Sequence, residues 1–170
     1  MANTYTLIES QVLGSAAASV TFSAIPATYT DLVLRYSARN DGSTTILGIT
    51  FNGDTATNYS SMILRGSGAS ASSFSYATRS QLFQQDGIEP DTMTSNTFVN
   101  AEIYIPSYLV SQNKPISGFT ATEDNSSTAY MSAIAHLWRN TAAITSINLY
   151  SNSGNIVTDS SFYLYGISNS

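Results

Sequence analysis

The chain has 170 residues, of which 42 % are hydrophobic and only 10 % are charged, so it is long enough to bury one substantial core. Its polarity comes from 28 serines and 20 threonines, and its net charge of −5 disfavours binding to nucleic acid or to an anionic membrane. The absence of cysteine and the presence of a single histidine exclude disulfides, thiolate chemistry and most zinc sites, so we expect no metal or cofactor.

The sequence contains no targeting or membrane-spanning pattern. Residues 1–10 lack a basic segment followed by an apolar one, and no stretch approaches 18 consecutive apolar residues. We therefore expect a soluble protein that is made without a secretory signal.

Apolar residues recur with a period of two, which predicts half-buried β-strands. In residues 31–39, Leu32, Leu34 and Tyr36 share the face predicted to be buried, whereas Arg35 and Arg39 share the other. Regular alternation also predicts strands at 18–23, 97–105, 145–150 and 161–167. Less regular candidates are 5–8, 45–51, 61–64, 75–83, 116–122 and 129–138.

Turn signals rich in Asn, Asp and Gly separate these runs, for example at 40–42, 52–54, 86–87 and 152–154. About ten short antiparallel strands at this spacing indicate an all-β sandwich, jelly-roll-like, formed by one domain over residues 1–170 with 1–4 as an N-terminal arm. Residues 128–140 are the best candidate for a helix, but they fit a strand nearly as well, and we assign a strand. The Gly- and Ser-rich residues 66–73 predict a flexible loop.

Few residues point to catalytic chemistry. His136 lies downstream of Glu123 and Asp124, so a metal or acid/base pair is conceivable, but a histidine within an apolar run is more often packed and hydrogen-bonded. A Ser-His-Asp triad would have to use His136, and no G-x-S-x-G motif is present. A carboxylate pair for glycoside cleavage is not selected by any spacing, so we do not expect an enzyme.

Several aspartates in predicted turns could hold calcium, although none follows the EF-hand spacing and Asx turns are the commoner use of such residues. These aspartates are Asp41, Asp54, Asp91, Asp124 and Asp159.

Tyr163 and Tyr165 lie on the face of the last predicted strand opposite Phe162 and Leu164, so this strand is aromatic on both faces. An outward row of tyrosines is best explained as a subunit interface. Cover by a neighbouring loop is the second interpretation, and stacking on sugars is the third. Each of the five arginines either forms an ion pair with an acidic residue, across a strand or across a subunit boundary, or remains solvated at the surface.

Several longer phrases resemble a group of small virion structural proteins of tailed phages, especially cyanophages and other aquatic phages. The resemblance covers nearly the whole chain, but its blocks are strand-and-turn phrases without catalytic motifs. They are residues 17–35, 51–54 with 58–60, 102–106, 137–147 and 162–167.

The resemblance implies a non-enzymatic virion component, and we favour a head decoration or cement protein on the outer surface of the capsid. Its partners would be the major capsid protein and further copies of itself, in a symmetric homo-oligomer such as a trimer. A tail-associated module that binds a receptor or carbohydrate, using exposed tyrosines or Trp138, is the alternative. The contact elements we expect are Tyr163 and Tyr165, together with an N-terminal arm that contains Ala2, Asn3, Thr4, Tyr5 and Thr6.

Overall fold

A computed structural model of the chain describes residues 4–68, 70–125 and 129–168. These residues form twelve β-strands and no helix. The strands are β1 (Tyr5–Val12), β2 (Ser19–Phe22), β3 (Asp31–Ala38), β4 (Leu47–Phe51), β5 (Tyr59–Ser67), β6 (Ser70–Arg79), β7 (Leu82–Gln84), β8 (Val99–Ile105), β9 (Lys114–Thr122), β10 (Tyr130–Trp138), β11 (Ile147–Ser151) and β12 (Ser161–Ile167).

The strands form two antiparallel sheets of unequal size. The larger has eight strands in the order β1-β12-β3-β8-β9-β10-β5-β6, and the smaller has four in the order β2-β11-β4-β7. The chain crosses between the two sheets repeatedly. The predicted all-β sandwich is therefore confirmed.

The hydrophobic core lies between the two sheets. The alternation in β3 places Leu32, Leu34 and Tyr36 inward as predicted, and the Tyr36 ring stacks on Phe162 of β12 at a centroid distance of 5.5 Å. Aromatic side chains from both sheets, Phe51 and Trp138 among them, meet at 5.3 Å. Burial of such rings stabilises a fold by several kcal/mol each, about 25 cal/mol per Å² of apolar surface.

Two sequence expectations need correction. The structure has twelve strands where about ten were expected, partly because residues 75–83 contain the end of β6 and all of β7, separated at Ser80 and Gln81. The flexible loop predicted at 66–73 is wrong, because its two ends pair in a β5–β6 hairpin with Ser67 opposite Ser70. Small polar residues favour a loop by propensity, but the long neighbouring strand β10 offers β5 a full ladder of hydrogen bonds. The strand assignment for 128–140 is confirmed by β10.

Candidate functional site

The outward face of β9, β10 and β5 is apolar although it faces solvent. Large side chains stand exposed on it, with Met62 63 %, Leu64 62 %, Met131 57 % and Phe119 43 % accessible. The strand register makes them neighbours, since Ala133 of β10 lies opposite both Phe119 and Leu64, and Ala135 lies opposite Met62. We call this surface the apolar patch, formed by Met62, Leu64, Phe119, Met131, Ala133 and Ala135.

The inward face of the same strands is unusually polar. A sandwich strand usually places apolar residues inside and polar residues outside, and these strands partly reverse that order. Ser61, Thr120 and Ser132 are buried there beside isoleucines. A protein that places hydroxyls inside and methionines outside on the same strands has an outward face suited to contact with another molecule.

His136 is a buried titratable group on that inward face, with 4 % of its surface accessible. Its Nδ1 lies 2.8 Å from the Ser61 hydroxyl and its Nε2 lies 2.7 Å from Gln84 Oε1. Because an amide oxygen only accepts, Nε2 carries the proton and Nδ1 accepts from Ser61. Burial lowers the pKa of His136 to about 3, so the ring is neutral at physiological pH.

The Ser61–His136 contact has the geometry of a nucleophile beside a base, but it lies within the core. Ser61 Oγ also accepts from the Phe83 N–H at 3.3 Å, and the third partner, Gln84, has no charge that would stabilise an imidazolium. Gly118 leaves room for the Gln84 amide, since an added Cβ would lie 2.9 Å from Gln84 Oε1. The expected packed and hydrogen-bonded role of His136 is confirmed.

A second buried polar group lies near the β5–β6 hairpin. The fully buried carboxylate of Asp86 accepts a 2.8 Å hydrogen bond from Ser132, and Arg65 Nε lies 3.0 Å from the same oxygen. The Arg65 guanidinium also covers the Tyr130 ring at 3.6 Å. These contacts hold the inner side of β5 and β10 under the apolar patch.

The other half of the outward face, on β1, β12, β3 and β8, is aromatic and carries an ion pair. Arg35 Nε lies 2.7 Å from Glu102 Oε2, and both side chains are about half exposed. The Arg35 guanidinium lies 5.7 Å from the Tyr5 ring centroid and 6.0 Å from that of Tyr165, while these two rings meet edge-to-face. The hydrogen bond to Glu102 raises the pKa of Arg35 further.

Tyr163 and Tyr165 lie on this outward face as predicted, and both are half-buried. Tyr163 lies opposite Arg35 in the register, and Tyr165 lies opposite Val33. We call the surface formed by Tyr5, Tyr104, Tyr163, Tyr165, Arg35 and Glu102 the aromatic cluster. It joins the apolar patch where Glu102 of β8 lies opposite Phe119 of β9.

Two of the predicted N-terminal contact residues belong to a strand and not to an arm. Tyr5 and Thr6 begin strand β1, where they lie opposite Ile167 and Gly166, and exposed Thr4 precedes them. The expectation of an extended arm is therefore wrong for Tyr5 and Thr6, because both residues pair with strand β12. Ala2 and Asn3 lie outside the described residues.

Asp54 connects three of the phrases that carry the sequence resemblance. Its carboxylate accepts hydrogen bonds from Trp138 Nε1 at 2.8 Å, from Asn58 Nδ2 at 3.0 Å and from Asn140 Nδ2 at 3.4 Å. Partial burial would raise the pKa of Asp54, but these bonds and one from the Ala56 N–H lower it overall. Asp54 therefore has a structural role in this part of the fold.

The same contacts correct the expectation that Trp138 stacks on a sugar. Its ring is fully buried, tilted against Phe51 and stacked at 6.3 Å on Tyr59. The apolar run that precedes Trp138 alternates, and this residue falls on the inward phase.

Two of the aspartates considered for calcium accept hydrogen bonds from main-chain N–H groups of distant segments. Asp41 Oδ1 accepts from the Asn155 N–H at 2.6 Å, and Asp124 Oδ2 accepts from the Thr94 N–H at 3.2 Å. Within residues 4–68, 70–125 and 129–168, no three His, Asp or Glu side chains are grouped so that they could hold a metal ion.

Comparison of the chain with protein-family models, with curated proteins and with solved structures returned no match. No helix in the described parts of the chain is long and apolar enough to cross a membrane.

Sequence reasoning identified the aromatic cluster in part and missed the apolar patch. The available signal was that β5 and β10 carry apolar residues in both phases of the alternation, as in Met62, Ile63 and Leu64. A strand that is apolar in both phases requires cover on both faces. The sandwich covers the face that carries Ile63, and the face that carries Met62 and Leu64 remains exposed.

Proposed function

We propose that this protein is a non-enzymatic phage head decoration protein that binds the outer capsid shell through the outward face of its eight-stranded sheet. The observation that carries the proposal is the apolar patch, an exposed surface of Met, Leu and Phe side chains. The inward faces of the same strands carry buried polar residues. The resemblance of the sequence phrases to virion structural proteins supplies the partner, the major capsid protein.

The chemistry of the face supports an interface more than a catalytic site. Met and aromatic residues are enriched at the centres of protein interfaces, where charged residues are depleted. The paired outward positions of β9, β10 and β5, such as Phe119, Ala133 and Leu64, bring no charge to the centre of the face.

The mechanism is one of mass action. A protein that binds only the expanded lattice stabilises it by its binding free energy, and many copies of modest affinity resist the outward pressure of packaged DNA. On this proposal the protein is a homo-oligomer on the outside of the virion, made in the host cytoplasm.

The test uses phage particles that lack the protein, mixed with purified protein and separated by sedimentation. Leu64→Ser with Phe119→Ser is expected to lower binding at least tenfold, because it removes about 1.4 kcal/mol or more of apolar burial. Val110→Ser is the matched control, since Val110 is 51 % exposed but lies outside the large sheet.

Copy number completes the test. Hundreds of copies per wild-type particle support a shell protein. A few to a few tens of copies contradict the head location and favour the tail. Equal binding by the double variant and by Val110→Ser would remove the apolar patch from the proposal.

The aromatic cluster favours a second candidate, a carbohydrate-binding module on the tail. A shallow groove there is lined by Arg35, Asn100, Glu102 and Phe119. Paired charged groups bond vicinal hydroxyls, and an aromatic ring beside them covers the apolar face of a sugar.

This second candidate is tested on a glycan array with wild-type protein and Arg35→Ala. Saturable binding of a glycan by the wild type and its loss in Arg35→Ala would support it. An array without signal would contradict it.

A further inference from the structure

The two sheets have four edge strands, and three of them carry a feature that prevents pairing with another chain. β2 and β7 have only four and three residues. β1 is interrupted by a bulge between Leu7 and Glu9, and Glu9 adds a charge. Short length, bulges and charge are the usual protections of sheet edges.

Strand β6 lacks these protections over residues 70–76, because its one register shift with β5 lies between Tyr76 and Arg79. It has ten residues, Ser70–Arg79, and pairs with β5 on one side only. From Ser70 to Tyr76 its register with β5 runs without a bulge, and the first charged residue is Arg79 at its end. Most of its side chains are exposed. An antiparallel strand in such a position presents a row of N–H and C=O groups along its outer side.

We propose that the outer side of β6 pairs antiparallel with β6 of a second copy of this chain around a two-fold axis. Such a pairing is self-complementary, because each strand offers the other the same alternation of donors and acceptors. The strand has no central charge that would require a partner of opposite charge. Its one cation does not oppose the pairing, since the strand spans about 30 Å and the two Arg79 side chains lie at opposite ends.

The side chains of β6 fit this pairing. Ala71, Ser73 and Ser75 on the outward face are small, so two copies approach without collision. On the other face, half-buried Phe74 and Tyr76 would lie beside the same residues of the second copy, and cross-strand aromatic pairs stabilise a sheet.

The pairing would produce one sheet of sixteen strands. Because Leu64 lies opposite Ser73, only β6 separates the apolar patch from the joint, and the two patches would become one surface. Because a two-fold contact closes on itself, this joint produces a dimer. A trimer, the example of a homo-oligomer expected from the sequence, is of a different kind. The inference goes beyond the proposed function and does not require the capsid.

The experiment measures the mass of the purified protein in solution by light scattering. The wild type is expected to be a dimer at micromolar concentration. Ser73→Lys with Ser75→Lys places four like charges at the joint and is expected to give monomers, as is Ser73→Glu with Ser75→Glu. An equimolar mixture of the Lys and Glu variants is expected to restore the dimer by opposite charge.

The matched control is Thr6→Lys with Ser10→Lys on β1, the protected edge of the same sheet, which should leave the dimer intact. Circular dichroism of each variant shows whether the fold persists. If the Lys variant loses its fold, hydrogen exchange of the wild type decides. Protection of amides along both sides of β6 supports the joint, and protection of alternate amides only overturns it.

A monomeric wild type would overturn the proposal. It would do so even if β6 were then found to pair with a strand of another protein. A Lys variant that remains a dimer would overturn it as well, because the contact would then lie elsewhere. Failure of this experiment leaves the capsid-binding test unaffected, since that test uses the apolar patch.

Discussion

At the scale of single residues, His136 shows how burial determines the role of a reactive side chain. Its ring donates to Gln84 and accepts from Ser61, and its pKa is lowered to about 3 from an ordinary value of 6.5. The folded state therefore contains the neutral ring, while the unfolded chain takes up a proton below pH 6.5. The sequence correctly favoured a packed histidine but gave no indication of these two partners, which come from β5 and β7.

Folding stability is expected to fall in acid because of His136. A group whose pKa is lower in the folded state stabilises the fold above its unfolded pKa and loses that contribution as the pH falls. Between pH 7 and pH 4.5 the loss amounts to about 2–3 kcal/mol at 1.4 kcal/mol per pH unit. Glu89 acts in the opposite direction, since burial raises its pKa.

Urea unfolding of wild type and His136→Gln at both pH values isolates the histidine, because the contribution of Glu89 cancels between the two proteins. The variant is expected to be less stable at pH 7, with a difference that narrows by about 2–3 kcal/mol at pH 4.5. A constant difference would show that the pKa of His136 is not lowered in the folded state.

Asp54 is expected to stabilise the fold through its hydrogen bonds. Asp54→Ala leaves the indole N–H of fully buried Trp138 without its acceptor, and the expected cost is about 2–4 kcal/mol in the free energy of unfolding. Asp54→Asn keeps one carbonyl oxygen and should cost less. Exposed Glu123→Ala is the control, with an expected change within about 0.5 kcal/mol. A similar stability of Asp54→Ala and Glu123→Ala in a urea titration would contradict this role.

At the scale of elements, the alternation of apolar residues located most strands but not the sheets to which they belong. The predicted strand at 161–167 coincides with β12, while the predicted 75–83 spans two strands in different sheets. Periodicity reports which residues of a strand share a face, but pairing is decided by tertiary contacts between distant segments. The division into eight and four strands, and with it the set of strands whose outward faces form the apolar patch, was for this reason not predictable.

The segment of residues 91–97 has no strand of its own and is held by Arg39. The guanidinium donates to main-chain carbonyls of Thr94 at 2.8 Å, Met93 at 3.0 Å, Thr97 at 3.1 Å and Asp91 at 3.3 Å. The alternation placed Arg39 on the solvent face of the predicted strand 31–39, and no pattern in the sequence indicated that its guanidinium would bind carbonyls.

Arg39→Lys is expected to loosen this segment without unfolding the sandwich. A lysine retains the charge but lacks the planar fork that reaches several carbonyls. Hydrogen exchange of the Met93 and Thr97 amides should increase at least tenfold, while exchange in β3 and β8 stays unchanged. Arg139→Lys is the control, since the Arg139 guanidinium donates to the Thr57 carbonyl. Unchanged exchange at 93 and 97 would contradict the assignment.

At the scale of the whole molecule, the edge strand β6 and the aromatic cluster occupy separate parts of the large sheet. The edge strand β6 lies at one side of that sheet, and the aromatic cluster centred on β12 and β3 lies near the other. Tyr163→Ala with Tyr165→Ala is expected to lower binding to phage heads several-fold and to leave the mass of the dimer unchanged. Sedimentation with heads and light scattering measure the two effects. Loss of the dimer in this variant would show that the tyrosine face, and not β6, joins the copies.

The charge distribution of the molecule predicts how its binding to heads depends on salt. The only lysine, Lys114, is buried and donates to the carbonyls of Val110 and Gln112, so it adds no charge to the surface. At about 1 M salt the screening length is about 3 Å, which removes attraction between exposed charges but not the burial of apolar surface. Because the apolar patch carries no charge, the protein is expected to stay bound to heads when salt is raised to about 1 M. Its release in a salt-titrated sedimentation assay would instead place the contact on the Arg35–Glu102 pair, the charged part of the same face.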